Sequence, residues 1–238
     1  MRNIFQFTKD LARAALSSNA RFVYASSAAT YGDGTAGMQD DPSLRHLHQL
    51  RPLNMYGYSK QMFDLYAAQR GILDKIAGVK FFNIFGPNEG HKGDMRSLVS
   101  KAYEQIAETG EIRLFKSYVA EYADGEQKRD FLYVKDAVAM TLHLAAADGA
   151  SGLFNVGSGE ANTWIDLATA VFAALGKQPN IRFIDMPEEL RAKYQYFTQA
   201  DIRRVRASGY TAPITSLVDA VADYVKNYIV PRKHLGDV

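Results

Sequence analysis

The 238-residue chain contains no cysteine. That absence excludes a disulfide framework, a zinc–thiolate site, an iron–sulfur cluster and a cysteine nucleophile. It leaves the compartment open, and a reducing cytoplasm suits it. An excess of one charge is also missing: 28 Lys and Arg stand against 26 Asp and Glu, a net charge of +2. No broad basic field therefore points to nucleic acid or to an anionic membrane. No apolar run approaches the roughly 18 residues a membrane-spanning helix needs. Internal repeats, low-complexity runs and clear linkers are absent too. What remains is ordinary globular material, 47% hydrophobic and 23% charged. Such a composition excludes disorder, collagen and coiled coil, and the length suffices to bury a real core.

Strand and helix patterns alternate. Ile4–Ser18 reads as a helix with Ile4, Phe7, Leu11 and Leu16 turned inward. Its basic, amphipathic start (Arg2, Lys9, Arg13 and Arg21 against Asp10) also resembles a targeting presequence. Strands are predicted at Arg21–Ala25, Val79–Phe82, Ile112–Phe115, Phe131–Val134, Leu153–Val156 and Ile181–Ile184. Helices are predicted at Met55–Arg70, at Ser97–Glu108 with Gly110 as its stop, from an Asp136 N-cap to Ala147, and at Thr163–Leu175, Ala200–Ala207 and Ser216–Tyr228. Helices between strands at this spacing argue for parallel βαβ units, hence an α/β, doubly wound sheet. Open parallel sheets bind ligands beyond the carboxyl ends of their strands. The chemistry is therefore expected at Ala25–Gly32, Asn83–Gly93 and Asn155–Gly159.

Two glycine motifs occur, and neither is a dinucleotide cradle. Gly32-Asp33-Gly34-Thr35-Ala36-Gly37 is a literal G-x-G-x-x-G, but that fingerprint needs a helix starting in the turn to hold the pyrophosphate. Met38-Gln39-Asp40-Asp41-Pro42 follows instead, without helical period and with two acids that repel phosphate. The stretch reads as a flexible loop. Asn155-Val156-Gly157-Ser158-Gly159 follows a strand and precedes a helix, with Asn162 where the third glycine belongs. No acidic residue ends a second strand about 20 residues on. It reads as a tight strand-to-helix turn and only weakly as a phosphate site.

The most informative segment is Tyr56-Gly57-Tyr58-Ser59-Lys60. Tyr56 and Lys60, at i and i+4 on a predicted helix, share a face. A phenol has an ordinary pKa of about 10, too high for a base at neutral pH. A neighbouring ammonium favours the phenolate. Alone, Y-x-x-x-K is as readily an incidental helix pair. With Ser26 and Ser27 closing an upstream strand, a hydroxyl is also available to orient a substrate alcohol.

These stretches together carry a resemblance: Ala25-Ser26-Ser27-Ala28-Ala29-Thr30-Tyr31-Gly32, Pro52–Lys60, Phe82–Gly93, Lys128-Arg129-Asp130-Phe131, Phe154–Gly159 and Tyr194–Asp201. The chain resembles the extended short-chain dehydrogenase/reductase family of nucleotide-sugar epimerases and dehydratases. Glu89–Gly93 and Phe197–Asp201 are the stretches most specific to the branch that epimerises an ADP-heptose. The resemblance covers essentially the whole chain. It implies a partial Rossmann-like sheet with a smaller C-terminal α/β substrate-binding region. Residues 1–85 would be the remainder of the dinucleotide-binding domain, and 86–238 mainly the substrate region, with some segments returning to the first. The resemblance further implies that the chain starts mid-fold: the first strand and its glycine turn, roughly 80–100 residues of a Rossmann half, are expected upstream.

The resemblance assigns Tyr56 and Lys92 as the acid–base pair, with Ser27 hydrogen-bonded to the reacting oxygen. It assigns Asn3, Lys60 and Ile84 to an NADP cofactor, and Asn83, Phe115, Arg129 and Tyr194 to the substrate. It further implies an ADP-heptose substrate, a homo-oligomer and a cytoplasmic location, with no nucleic-acid or membrane partner. The plain reading of Lys92 is a solvated loop lysine, and that of Arg129 a surface pair with Asp130 or Glu126. Tyr194 otherwise packs a core, and His91 shapes its loop. Asp94 and Lys101 depart from the family pattern and are not assigned. The five histidines show no ligand spacing beyond a weak His46-x-His48. Two alternatives stay open. One is another epimerase or dehydratase of the family, although Ala28-Ala29-Thr30 stands where a dehydratase needs an acidic pair. The other is a non-catalytic fragment that binds nucleotide-sugar, or nothing; under the leading reading, this chain alone is expected to bind NADP poorly and to have little activity.

Overall fold

The computed structural model describes residues 2–191 and 193–237, and the side chains of these apart from residues 2 and 3. The chain runs α1 (Arg2–Ser17), β1 (Val23–Ser27), a 3₁₀ turn (Ala28–Tyr31), α2 (Leu44–Leu47), α3 (Met55–Gln69), β2 (Ala77–Phe81) and β3 (Asn83–Phe85). A 3₁₀ segment (Gly90–Met95) leads to α4 (Leu98–Thr109), β4 (Ile112–Phe115), β5 (Lys128–Arg129), β6 (Phe131–Tyr133) and α5 (Val134–Ala146). Then come β7 (Gly152–Val156), β8 (Asn162–Thr163), α6 (Trp164–Ala174), β9 (Ile181–Ile184), α7 (Glu188–Arg191), α8 (Arg203–Ala207) and α9 (Leu217–Tyr224), which ends in a π turn (Val225–Ile229). No described helix is long and apolar enough to cross a membrane.

Strands β1, β2 and β7 form a parallel sheet in that order, with Ser26 beside Lys80 and Lys80 beside Asn155. Strand β7 is buried throughout and β2 nearly so, as expected for parallel strands covered on both faces. Tyr24, Phe63, Ala67 and Leu153 pack with α1 and α3, while Leu132, Met140, Leu144 and Phe154 pack with α5. A third core joins α4, α6 and α9 to the parallel pairs β3–β6 and β4–β9. Thus α5, β7 and α8, late in sequence, return to the sheet begun by β1.

Several local expectations shift, each for a tertiary reason. In α1, Ile4, Phe7 and Leu11 are exposed, whereas Ala12 is buried and Phe5 and Leu16 are packed. The helix packs against α3, which covers a single stripe. In α3, Tyr58 and Met62 face outward while Phe63, Asp64 and Ala67 are buried. Strand β1 begins two residues late and extends to Ser27 because its pairing with β2 continues to Phe81. Asp136 does not cap α5, which starts at Val134. Its carboxylate accepts from Thr215 N–H (2.9 Å) and Oγ1 (3.1 Å). Helix α8 starts only at Arg203, since the Ala200 N–H is committed to Asp130. The loop from Gly32 is also less free than expected: Asp40 is buried and accepts the Asn155 N–H at 2.8 Å.

Helix α6 starts with a full capping box. Thr163 Oγ1 accepts from Asp166 N–H (2.9 Å), and Asp166 Oδ2 accepts from Thr163 N–H (2.8 Å). Thr163→Ala removes one half of it and should destabilise the fold by about 0.5–2 kcal/mol. Chemical denaturation checks this, and an unchanged midpoint would show that α6 is held by packing alone.

Candidate active site

The site is founded on a polar row across the carboxyl end of the sheet. Ser26, Lys80 and Asn155 are register neighbours on three strands. Lys80 is 1% exposed and pairs with the fully buried Asp64 of α3 at 2.8 Å. Asp64 also accepts from Tyr24 Oη (2.9 Å) and Ser26 Oγ (2.8 Å). The Lys80 ammonium donates to Thr30 Oγ1 (2.6 Å) and lies 4.8 Å from the Tyr31 ring centroid. Thr30 in turn donates to the Ser27 carbonyl, and Tyr31 Oη donates to Asn155 Oδ1. Burial, followed by the Asp64 charge, pushes the Tyr24 phenol well above its usual value, so it remains a donor. One ion pair therefore joins α3, two strands and the turn after β1.

Helix α3 brings Tyr56 and Lys60 to that turn. Asn54 caps the helix by accepting the Gly57 N–H at 2.9 Å. Gly57 lies so close to the Ala29 carbonyl that a Cβ would sit 2.6 Å from its oxygen, a contact open only to glycine. The Lys60 ammonium donates to the Ala25 carbonyl (2.7 Å) and lies 5.7 Å from the Tyr56 ring centroid. Burial lowers the Lys60 pKa, and the Asp64 charge acts against that shift. Tyr56 is 51% exposed, open to a ligand. Ser27 Oγ accepts the Ala29 N–H at 3.1 Å, which leaves its own proton free to donate.

Arg129 is the second feature. It is 6% exposed, and among the described residues no carboxylate pairs with it, so the expected partners Asp130 and Glu126 are not used. Its guanidinium donates to the carbonyls of Lys128 (2.8 Å) and Gln195. It lies 5.1 Å from the Tyr194 ring centroid and 5.7 Å from that of Trp164, whose indole N–H donates to Tyr194 Oη at 2.9 Å. Burial lowers the Arg129 pKa, with Tyr194 and Tyr122 opposing. Arg129, Lys193 and Tyr194 line a cleft of about 190 Å³ together with Gly32 and Asn54. That cleft joins the 193–195 segment to the N-terminus of the Tyr56 helix.

Asp130 faces elsewhere. Its carboxylate accepts the N–H groups of Ser158 (2.6 Å), Gly159 (2.9 Å) and Ala200 (2.9 Å), and the Ser158 hydroxyl (2.8 Å). The Gly157–Gly159 turn is thus an anion nest occupied by the protein's own carboxylate, which accounts for a phosphate-like turn that is not a phosphate site.

The other assigned residues are more scattered. Lys92 lies exposed in the Gly90–Met95 segment, its ammonium unpartnered among the described residues. His91 is exposed beside it. The two departures from the family pattern meet: Lys101 Nζ donates to the Asp94 carbonyl. Asn83 pairs with Phe131 in β3–β6 and accepts from Thr198 Oγ1 at 3.4 Å. Ile84 is half-buried on β3. Phe115, half-buried at the end of β4, does not line the Arg129 cleft. Asn3 falls in α1, with its side chain outside the described residues. Asp64, Lys80, Asp130 and Glu89 were not singled out from sequence. The available signal was a lysine inside the apolar Val79–Phe82 strand, since a charge there requires a buried partner.

The residues at hand fit the reactive end of a nicotinamide dinucleotide. Lys60, whose ammonium lies near the Tyr56 ring, has spent one of its three N–H donors, and Ser27 at the carboxyl end of β1 retains its proton. Residues 1–157 match the model of the NAD dependent epimerase/dehydratase family, and the chain belongs to that family. Its relatives include the ADP-L-glycero-D-manno-heptose-6-epimerase of Nitratidesulfovibrio vulgaris strain DP4, 52% identical over 229 residues, covering 96% of this chain and 70% of the relative. The enzyme of the same name from Fusobacterium nucleatum is 45% identical, covering 96% and 71%. A crystal structure of Helicobacter pylori ADP-L-glycero-D-manno-heptose-6-epimerase superimposes with a TM-score of 0.75 at 26% identity, covering 94% of this chain and 64% of that one. The chain therefore spans about two thirds of these proteins' length.

Lys80→Met strands the Asp64 carboxylate in the core and should destabilise the protein by about 3–5 kcal/mol. Adding Asp64→Asn should recover part of that loss in urea denaturation. A double variant less stable than Lys80→Met would show that the stranded charge is not the cause.

Proposed function

We propose that this chain is the catalytic and substrate-binding part of an ADP-L-glycero-D-manno-heptose 6-epimerase. The enzyme interconverts the D-glycero and L-glycero epimers of ADP-heptose at C6, supplying the lipopolysaccharide core. The observation carrying this reading is the cleft that joins an unpaired buried Arg129 to the start of the Tyr56–Lys60 helix. We divide the chain into a dinucleotide-binding portion, 1–85, and a mainly substrate-binding portion, 86–238. A homo-oligomer in the cytoplasm goes with this reading.

The hydrogen on a secondary carbinol carbon with no neighbouring carbonyl is not acidic, so inversion requires transient oxidation. A bound nicotinamide dinucleotide, for which we propose NADP, supplies reversible hydride acceptance, and Lys60, Ile84 and Asn3 would hold it. Tyr56 takes the proton of the C6 hydroxyl of one epimer and returns it only when that same epimer re-forms, Lys92 doing so for the other. Lys60, partly desolvated 5.7 Å from the Tyr56 ring, stabilises the phenolate through a weakly screened charge. Ser27 donates its hydroxyl proton to the reacting oxygen. Lys92 acts as the second acid–base group, needed because hydroxyl and hydrogen exchange places. Arg129 binds the diphosphate with its remaining N–H groups, since a guanidinium fork matches phosphate oxygens. Tyr194, Asn83 and Phe115 complete the substrate site.

In the enzyme that contains this chain, ADP-D-glycero-D-manno-heptose and NADP should give the L-glycero epimer, read by NMR. Tyr56→Phe should slow it by about 100-fold or more; a rate equal to the unaltered protein overturns the role of Tyr56. Calorimetry reads substrate binding separately from turnover. Arg129→Ala should weaken ADP-heptose binding by about tenfold or more, as expected for lost charge-assisted bonds. Equal affinity overturns the assignment of Arg129 to the diphosphate.

A further inference from the structure

We infer that Glu89 is a positioning residue for Lys92, its carboxylate closing the Glu89–Ser97 segment into a clamped loop that presents the lysine. The inference rests on the acid–base role proposed for Lys92. Glu89 is 4% exposed and forms no ion pair among the described residues. Its cost of burial is met by hydrogen bonds instead. Oε2 accepts the Ser97 N–H (2.8 Å), and Oε1 accepts Ser97 Oγ (2.5 Å) and Tyr224 Oη (2.9 Å). One side chain thus ties the start of the loop to its end, where Ser97 caps α4, and to α9 in the adjoining core. Burial, and then the Glu89 charge, raise the Tyr224 pKa, so the phenol stays a donor throughout the working pH range.

Within the clamp the backbone is also fixed. The Lys92 N–H donates to the Glu89 carbonyl (3.0 Å). Gly93 follows with φ 53° and ψ −125°, a conformation reserved for glycine, and its carbonyl accepts from Arg96 N–H (3.2 Å) and Nε (2.9 Å). None of this touches the Lys92 ammonium, which is exposed and, among the described residues, unpartnered. A long flexible side chain with no contact of its own reaches a defined atom reproducibly only if its Cα is held. A buried carboxylate is a costly way to fasten a surface loop, and an apolar contact would serve stability alone. The cost is intelligible if the geometry of residue 92 matters to the chemical step. Removing the clamp should then lower kcat more than it alters KM.

The test uses the full chain, its substrate and dinucleotide, and three variants. Glu89→Gln keeps the shape, but with its carbonyl on the Ser97 N–H its amide N–H groups face Ser97 Oγ and Tyr224 Oη, which now donate to Oε1. It should lower kcat about tenfold or more with KM within about twofold, and accelerate amide exchange across 90–97 while the central sheet stays protected. Lys92→Met is the reference. If Lys92→Met turns over normally, the role proposed for Lys92 fails. If Lys92→Met is inactive while Glu89→Gln retains kcat and exchange rates, the positioning role of Glu89 alone fails. Should Glu89→Gln not fold, Tyr224→Phe removes a single donor: about threefold lower kcat with faster exchange in 90–97 supports the clamp, and unaltered values overturn it.

Discussion

The ion pair between Asp64 and Lys80 is the constraint on which the rest of the site depends. Neither partner is solvated, and each has commitments beyond the other. Asp64 ties Tyr24 and Ser26 to α3, while Lys80 ties the Thr30 and Tyr31 turn to β2. An isolated charge at that depth is untenable, so the four segments must assemble together or not at all. The consequence for chemistry is registry. Tyr56 and Lys60 lie about two turns and one turn before Asp64 on α3, and Ser27 follows Ser26 on β1. Fixing 64 against 26 therefore fixes 56 and 60 against 27.

Asp130 performs a comparable task on the other side of the cleft, with backbone amides in place of a cation. By occupying the Gly157–Gly159 nest it draws β7 and the 198–200 segment toward β6. Among the described residues its neighbour Arg129 has no carboxylate partner and sits in a pocket of aromatic rings and carbonyls. Asp130 lies at the break between β5 and β6 and turns into the nest while Arg129 turns to the rings, so an Arg-Asp dipeptide that looks self-neutralising separates its charges on folding. The arginine is thereby left with carbonyl oxygens and aromatic rings as its partners. The loop after Gly32, whose purpose was obscure, closes over the same end of the sheet through Asp40, Asn155 and the Gln195 amide, which donates to the Gly32 carbonyl.

Much of this was readable beforehand, and the parts that were not share a cause. Helix α3 was anticipated from Met55 by its helical spacing, and Asn54 proves to cap it. Helix α4 was legible from Ser97 and Gly110, which act as cap and stop through their own local chemistry. The Tyr56–Lys60 pair required nothing beyond i, i+4 spacing. The face that α1 buries was misjudged, because an amphipathic pattern says that one side is apolar but not how much of it a neighbour covers. Asp136 looked like a cap but is spent on Thr215, 79 residues away. Glu89 lay within a stretch already recognised as distinctive, yet its partners Ser97 and Tyr224 come together only after α4 and α9 pack.

The amino-acid order thus settled what is local: the alternation of strands and helices, their caps and stops, the apposition of Tyr56 and Lys60, and a resemblance that identified the chemistry. Those features depend on interactions spanning three or four residues, which any chain segment carries with it. Folding decided which polar groups lose their water and what then satisfies them. Lys80 against Asp64, Arg129 left unpaired, Asp130 in its nest and Glu89 across its loop are all choices of that kind. The physical reason is that the cost of burying a charge is set by the dielectric and donors around it, and these come from segments up to 135 residues away, as in Tyr224 and Glu89.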